Sequence, residues 1–164
     1  MLLRQMINSE GCKGNRRNAG MLITTKGRYA LRFMIDLAEN EKEGPVTLKD
    51  VSMRQGISVK YLEHVVTQLN RAGLIRSVRG NQGGYLLTKA PEQYTAGEIL
   101  TAVEGRMCPV SCLEQSPNLC ERYDQCRTIR FWEGLDKTVN EYVNSYTLAD
   151  LLNAELPVSS PSAK

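Results

Sequence analysis

Four cysteines, Cys108, Cys112, Cys120 and Cys126, fall within 19 residues, separated by three, seven and five residues. Thiolates are soft ligands, and four of them in one segment suit an iron–sulfur cluster or zinc. Zinc sites usually carry tighter C-x2-C knuckles, which this segment lacks. The same residues also fit a set of free thiols able to form a redox disulfide. No secretory signal is visible ahead of them, so the expected compartment is the cytoplasm, where clustered cysteines more often hold metal or sense redox state than form structural disulfides. Cys12 stands alone near the N-terminus and reads as incidental.

A second group of residues suits a polyanion. Residues 21–90 carry 11 basic and 6 acidic side chains, whereas residues 91–164 carry 6 basic and 11 acidic. The formal net charge of +3 hides this split. A basic front half joined to an acidic rear half suggests a nucleic-acid-binding module carrying a regulatory or assembly segment. Hydrophobic content of 41% with 24% charge excludes a wholly disordered or collagen-like chain. No apolar run approaches the ~18 residues of a membrane span. A single histidine and no evident nucleophile–base pair argue against an enzyme.

The elements that must position these residues follow from periodicity. From Thr24, the apolar residues Tyr29, Leu31, Phe33, Met34, Leu37 and Ala38 recur at helical spacing and stop before Glu43-Gly44-Pro45. Thr47 caps a short helix, Leu48 to Arg54, ending at Gly56. Ser58 caps the next, with a stripe of Leu62, Val65, Val66 and Leu69 before Ala72-Gly73. Two short helices around a Gly-containing turn have the form of a helix-turn-helix. Two β-prone runs around Gly80–Gly84 then predict a hairpin. Together these make a winged helix. Thr95-Ala96-Gly97-Glu98 has a capping-box pattern opening a helix through Val103. Trp132, Leu135, Val139, Tyr142 and Tyr146 form an a/d-like seam on one long helix, about 22 Å over 15 residues. Thr147 caps a last short helix, Leu148–Asn153.

The predicted fold is therefore mainly α: a winged helix-turn-helix with a β-hairpin wing, plus a long C-terminal dimerisation helix. Its parts are a basic arm at 1–20, a DNA-binding domain at 21–104, a cysteine-rich loop at 105–126, the dimerisation and closing helices at 127–153, and a tail at 154–164. Ser58, Lys60 and Tyr61 occupy the first turn of the second short helix, where recognition helices meet bases, and His64 lies on its outer side. Arg76 and Arg79 lie on the wing, whose cations can enter a narrow minor groove. Lys26 and Arg28, at the start of the first long helix, are candidate phosphate contacts. For each of these side chains the alternative is an ordinary solvated or packing residue.

Several stretches carry a family resemblance: Thr24-Thr25-Lys26-Gly27-Arg28-Tyr29-Ala30, Gly56-Ile57-Ser58-Val59-Lys60-Tyr61-Leu62-Glu63, Ser77-Val78-Arg79-Gly80, Gly83-Gly84-Tyr85, and Thr95-Ala96-Gly97-Glu98-Ile99. With the cysteine loop, they make residues 21 to about 152 resemble the Rrf2 family of bacterial winged-helix transcription regulators, which includes IscR, NsrR and CymR types. The resemblance implies that Ser58 and Tyr61 contact DNA, that Arg79 is the wing arginine, and that Cys112, Cys120 and Cys126 ligate an iron–sulfur cluster. The IscR type has a fourth ligand, a His, where this chain has Ile129, and the NsrR type an acid where it has Arg28. Cys108 is the candidate in their place, with solvent or a small thiol as the alternative, and the cluster is left as 2Fe–2S or 4Fe–4S. The expected partners are a second copy of the chain and a near-palindromic DNA duplex, with recognition helices ~34 Å or a multiple apart. A cofactor-free regulator of the CymR type, controlled by thiol oxidation, a protein partner or a metabolite, is the rival reading.

Overall fold

The structure is a computed structural model describing residues 23–80, 82–115, 118 and 120–153. The arm at 1–20, Cys12 and the tail at 154–164 lie outside the described residues. The first helix, α1 (Thr25–Asn40), starts where the Thr24 hydroxyl accepts the Lys26 N–H. Its residues Ala30, Phe33, Met34 and Leu37 return every three to four positions, so one stripe faces inward and is fully buried. Helices α2 (Leu48–Gln55) and α3 (Val59–Arg71) begin at Thr47 and Ser58, whose hydroxyls accept the N–H groups of Asp50 and Tyr61. Gly56 ends α2 with φ 64°, a left-handed conformation that turns the chain sharply into α3. The stripe Leu62, Val65, Val66 and Leu69 of α3 closes over α1.

Strands β1 (Ile75–Val78) and β2 (Gly84–Leu87) pair antiparallel, with Ile75 opposite Leu87 and Val78 opposite Gly84. Val46 adds a bridge to Tyr85 through two backbone hydrogen bonds of 2.9 and 3.0 Å, so the wing's base is tied to the segment leading into α2. Tyr94, fully buried, fixes the other side. Its hydroxyl donates to the Leu74 carbonyl and accepts the N–H groups of Thr88 and Lys89, each at 2.8 Å. Helix α4 (Ala96–Glu104) is capped by Thr95, but the Glu98 carboxylate bonds to Lys89 Nζ at 2.8 Å. The capping-box pattern thus locates the helix start, and its acid ties that start to the strand exit.

The cysteine segment is a loop, as its prolines and polar residues predict, with short 3-10 turns at Ser111–Leu113 and Tyr123–Gln125. Helix α5 spans Ile129–Ser145, about 26 Å at ~1.5 Å per residue. It starts three residues before Trp132 and stops short of Tyr146, the last seam residue, whose extended backbone ends the helix instead. Thr147 and Asp150 then cap each other reciprocally to start α6 (Leu148–Asn153). The Asp150 carboxyl is held below its usual range by the Thr147 N–H and hydroxyl. Leu148 is fully buried in the same core as Phe33 and Tyr94. A smaller cluster of Leu100, Met107 and Val143 seats α5 on α4.

Candidate functional site

One outward surface gathers the predicted DNA-reading residues of α3. Ser58, Lys60 and His64 are exposed there, with Lys60 and His64 one turn apart. Tyr61 is half-buried, its ring edge-on to Tyr29 of α1 at 5.3 Å between centroids. This contact fixes where the recognition helix sits on α1 and leaves only part of the tyrosine facing outward. Ser58 Oγ accepts the Tyr61 N–H at 3.3 Å, so its hydroxyl hydrogen is what remains for a ligand.

Behind this surface lies Asp36, 1% exposed and the buried charge among the described residues. Arg54 donates to its carboxylate from Nε and Nη2, and Gln55 donates from Nε2 at 2.9 Å. Arg32 in turn holds Gln55 through its side-chain oxygen at 3.0 Å. A buried carboxylate is tolerated because three donors converge on it. The network clamps the last turn of α2 to α1 immediately before Gly56, and thereby sets the angle at which α3 leaves. Asp36 is absent from the predicted site. An acid between Met34 and Leu37 on the apolar stripe was the available signal.

Arg76 and Arg79 are both exposed, on β1 and at the wing's tip. Arg28 is exposed, with Nη2 donating to Thr25 Oγ1 at 3.1 Å. Lys26 is placed differently. It is half-buried, with Nζ 3.9 Å from Glu104, the last residue of α4. Glu104 Oε1 accepts from the Thr24 N–H, the Thr24 hydroxyl and the Gly27 N–H at 2.7–2.9 Å. A carboxylate at a helix N-terminus satisfies orphan donors and complements the helix dipole. Gly27 makes room for it, because a Cβ would lie 2.7 Å from that oxygen and displace the carboxylate.

Of the loop cysteines, Cys108 is buried and Cys112, Cys120 and Cys126 are half-buried. Cys108, Leu113 and Ile129 form an apolar cluster at the start of α5, bordered by Cys112, Cys126 and Trp132. Burial pushes the Cys108 thiol up, and its Sγ donates to the Leu113 carbonyl at 3.6 Å. The Thr128 hydroxyl, 3.4 Å from Cys126 Sγ, and the Thr128 N–H lower the Cys126 thiol. Among the described residues no three Cys, His, Asp or Glu side chains are gathered as a metal-holding group. The donor chemistry nevertheless fits an iron–sulfur cluster: Cys112, Cys120 and Cys126 are partly accessible thiols of one loop, and Cys126 is predisposed to the thiolate form that ligates iron. Ile129 is an apolar member of the cluster and supplies no ligand.

Comparison with known proteins agrees with this arrangement. HTH-type transcriptional regulator IscR of Erwinia tasmaniensis is 42% identical over 133 residues, 81% of this chain and 79% of that protein. The structure of CymR, the global cysteine regulator of B. subtilis, superposes with a TM-score of 0.67 at 38% identity, covering 82% of this chain and 98% of CymR. T. potens IscR superposes with a TM-score of 0.63 at 36% identity, covering 85% and 92%. Among the described residues no helix is long and apolar enough to cross a membrane. Residues 23–154 match the family described as "Rrf2: Iron-dependent Transcriptional regulator", and with its winged helix the chain belongs to that family of DNA-binding transcription regulators.

Proposed function

We propose that the protein is a cytoplasmic homodimer that reads a near-palindromic operator and whose affinity is set by an iron–sulfur cluster in the cysteine loop. Ser58, Lys60, Tyr61 and His64 of α3 enter the major groove, Arg79 and Arg76 approach the adjacent minor groove and backbone, and Arg28 contacts phosphate. Lys26 belongs to this set only if it leaves Glu104, so its part is to steady the start of α1. Cys112, Cys120 and Cys126 hold the cluster. Cys108 completes the set by turning away from the Leu113 carbonyl. When bound, the cluster supplies a redox- and iron-sensitive crosslink within the loop.

The observation that carries this reading is continuity. Glu104 joins the loop's first end to the start of α1, and Cys126 lies three residues before α5 begins. A change of ligation in the loop therefore bears on both the reading head and the helix assigned to pairing, a two-state coupling. The test is anaerobic purification followed by absorption spectroscopy, iron and sulfide analysis, and operator titration. Visible charge-transfer bands, stoichiometric iron and sulfide, and different operator affinities with and without the cluster are expected. Equal affinities in the two states would falsify the coupling. The CymR-type alternative is favoured by Ile129, which stands where the IscR type has a ligand. It predicts no bands, and operator affinity that changes on thiol oxidation or on adding a partner.

A further inference from the structure

Val59 is the first residue of α3, and it is 39% exposed although it is apolar. It is absent from the apolar clusters, while its neighbours Ser58 and Lys60 are also exposed. Other exposed large apolar side chains have different settings: Phe131 and Tyr142 lie on α5, and Met53 on α2. A β-branched residue at an exposed helix start gains nothing for the helix itself, since its restricted χ1 lowers helix propensity. That same stiffness makes it a cheap contact surface, because little rotamer freedom is lost on binding.

The other first-turn groups are partly committed. Ser58 Oγ caps Tyr61, the Tyr61 ring packs on Tyr29, and Lys60 is a long cation suited to phosphate. What remains is a short, rigid, apolar group at the end of the recognition helix that meets base edges. The one apolar group that a base pair displays in the major groove is the thymine 5-methyl. We propose that Val59 is a specificity-determining residue that packs against the 5-methyl group of one thymine in each half-site. The inference rests on the operator-reading role of α3 and adds to it the chemistry of one base position.

The test begins with a duplex selected from a random pool by the full chain. Each thymine is then replaced singly by deoxyuridine, which removes only the methyl. Wild-type protein is expected to lose about fourfold in affinity at one thymine per half-site, the equivalent of burying one methyl-sized group. Val59→Ser keeps the fold, because the side chain is exposed. It is expected to bind the thymine duplex correspondingly less tightly and to lose most of its response to deoxyuridine, which a double-mutant cycle quantifies. A wild-type protein indifferent to every replacement, or a Val59→Ser protein with undiminished sensitivity, overturns the inference while leaving operator reading intact. Failure of the pool to yield any preferred duplex overturns operator reading itself, and the inference with it.

Discussion

Arg79 and the loop thiols have environments distinct enough to give separate experimental signatures. Arg79 is exposed at the wing tip, so the contact proposed for it is with a phosphate-rich groove and its field. Arg79→Ala is expected to weaken operator binding and lower the slope of log affinity against log salt by about 1, measured by salt titration. In metal-free protein, Cys126 is expected to be alkylated faster than Cys108 near neutral pH, read by mass spectrometry after iodoacetamide pulses. The sign follows from their surroundings. Thr128 lowers the Cys126 thiol, whereas burial raises that of Cys108, so more thiolate is present at Cys126. Raising the pH through the Cys108 range narrows the ratio. Exposure acts in the same direction, since the Cys108 side chain lies within the Leu113–Ile129 cluster.

At the scale of elements, the pose of α3 depends on polar groups beneath it. Asp36→Ala removes a carboxylate that accepts from Arg54 and Gln55 but leaves the Arg54 guanidinium at a half-exposed site, and is expected to cost about 1.5–3 kcal/mol in chemical denaturation, the range for hydrogen bonds to a charged group. Tyr94→Phe orphans the Lys89 N–H behind the wing, takes one donor from the Leu74 carbonyl, and leaves the Thr88 N–H only its longer bond to that carbonyl, 3.4 Å. About 1–3 kcal/mol is expected by the same measurement. The helices were legible because their starts are written locally: Thr24, Thr47, Ser58, Thr95 and Thr147 each cap where the chain begins to wind. The wing was legible from its turn. Long-range partners were not. Nothing near Lys26 in sequence announces Glu104, 78 positions away, whose carboxylate lies 3.9 Å from the lysine Nζ. Tyr61 likewise looks outward on a helical wheel, and only the approach of Tyr29 half-buries it. The helix assigned to pairing was placed by its seam, yet its ends shifted because Tyr146 serves the turn into α6.

For the whole molecule, the proposed dimer needs an apolar surface that the fold leaves uncovered. Phe131 is 65% exposed and Tyr142 55% exposed, and eleven residues, about three turns, place them on one side of α5. Replacing both by Glu is expected to convert the proposed dimer to monomer in sedimentation velocity and to abolish high-affinity operator binding, with helical content unchanged by circular dichroism. A protein that stays dimeric would move the pairing surface elsewhere. Glu104 is bound to the first turn of α1, and α5 is held on α4 by Val143 against Leu100 and by the Thr95 hydroxyl donating to Asn144 Oδ1 at 2.9 Å, so the helices flanking residues 105–128 are fixed by contacts independent of what lies between. Closing a longer loop between fixed ends costs only about 0.6 kcal/mol per doubling of its length. The intervening stretch is therefore an exchangeable cassette. Its length and its side chains can diverge from one descendant to another without redesign of the scaffold that grips DNA.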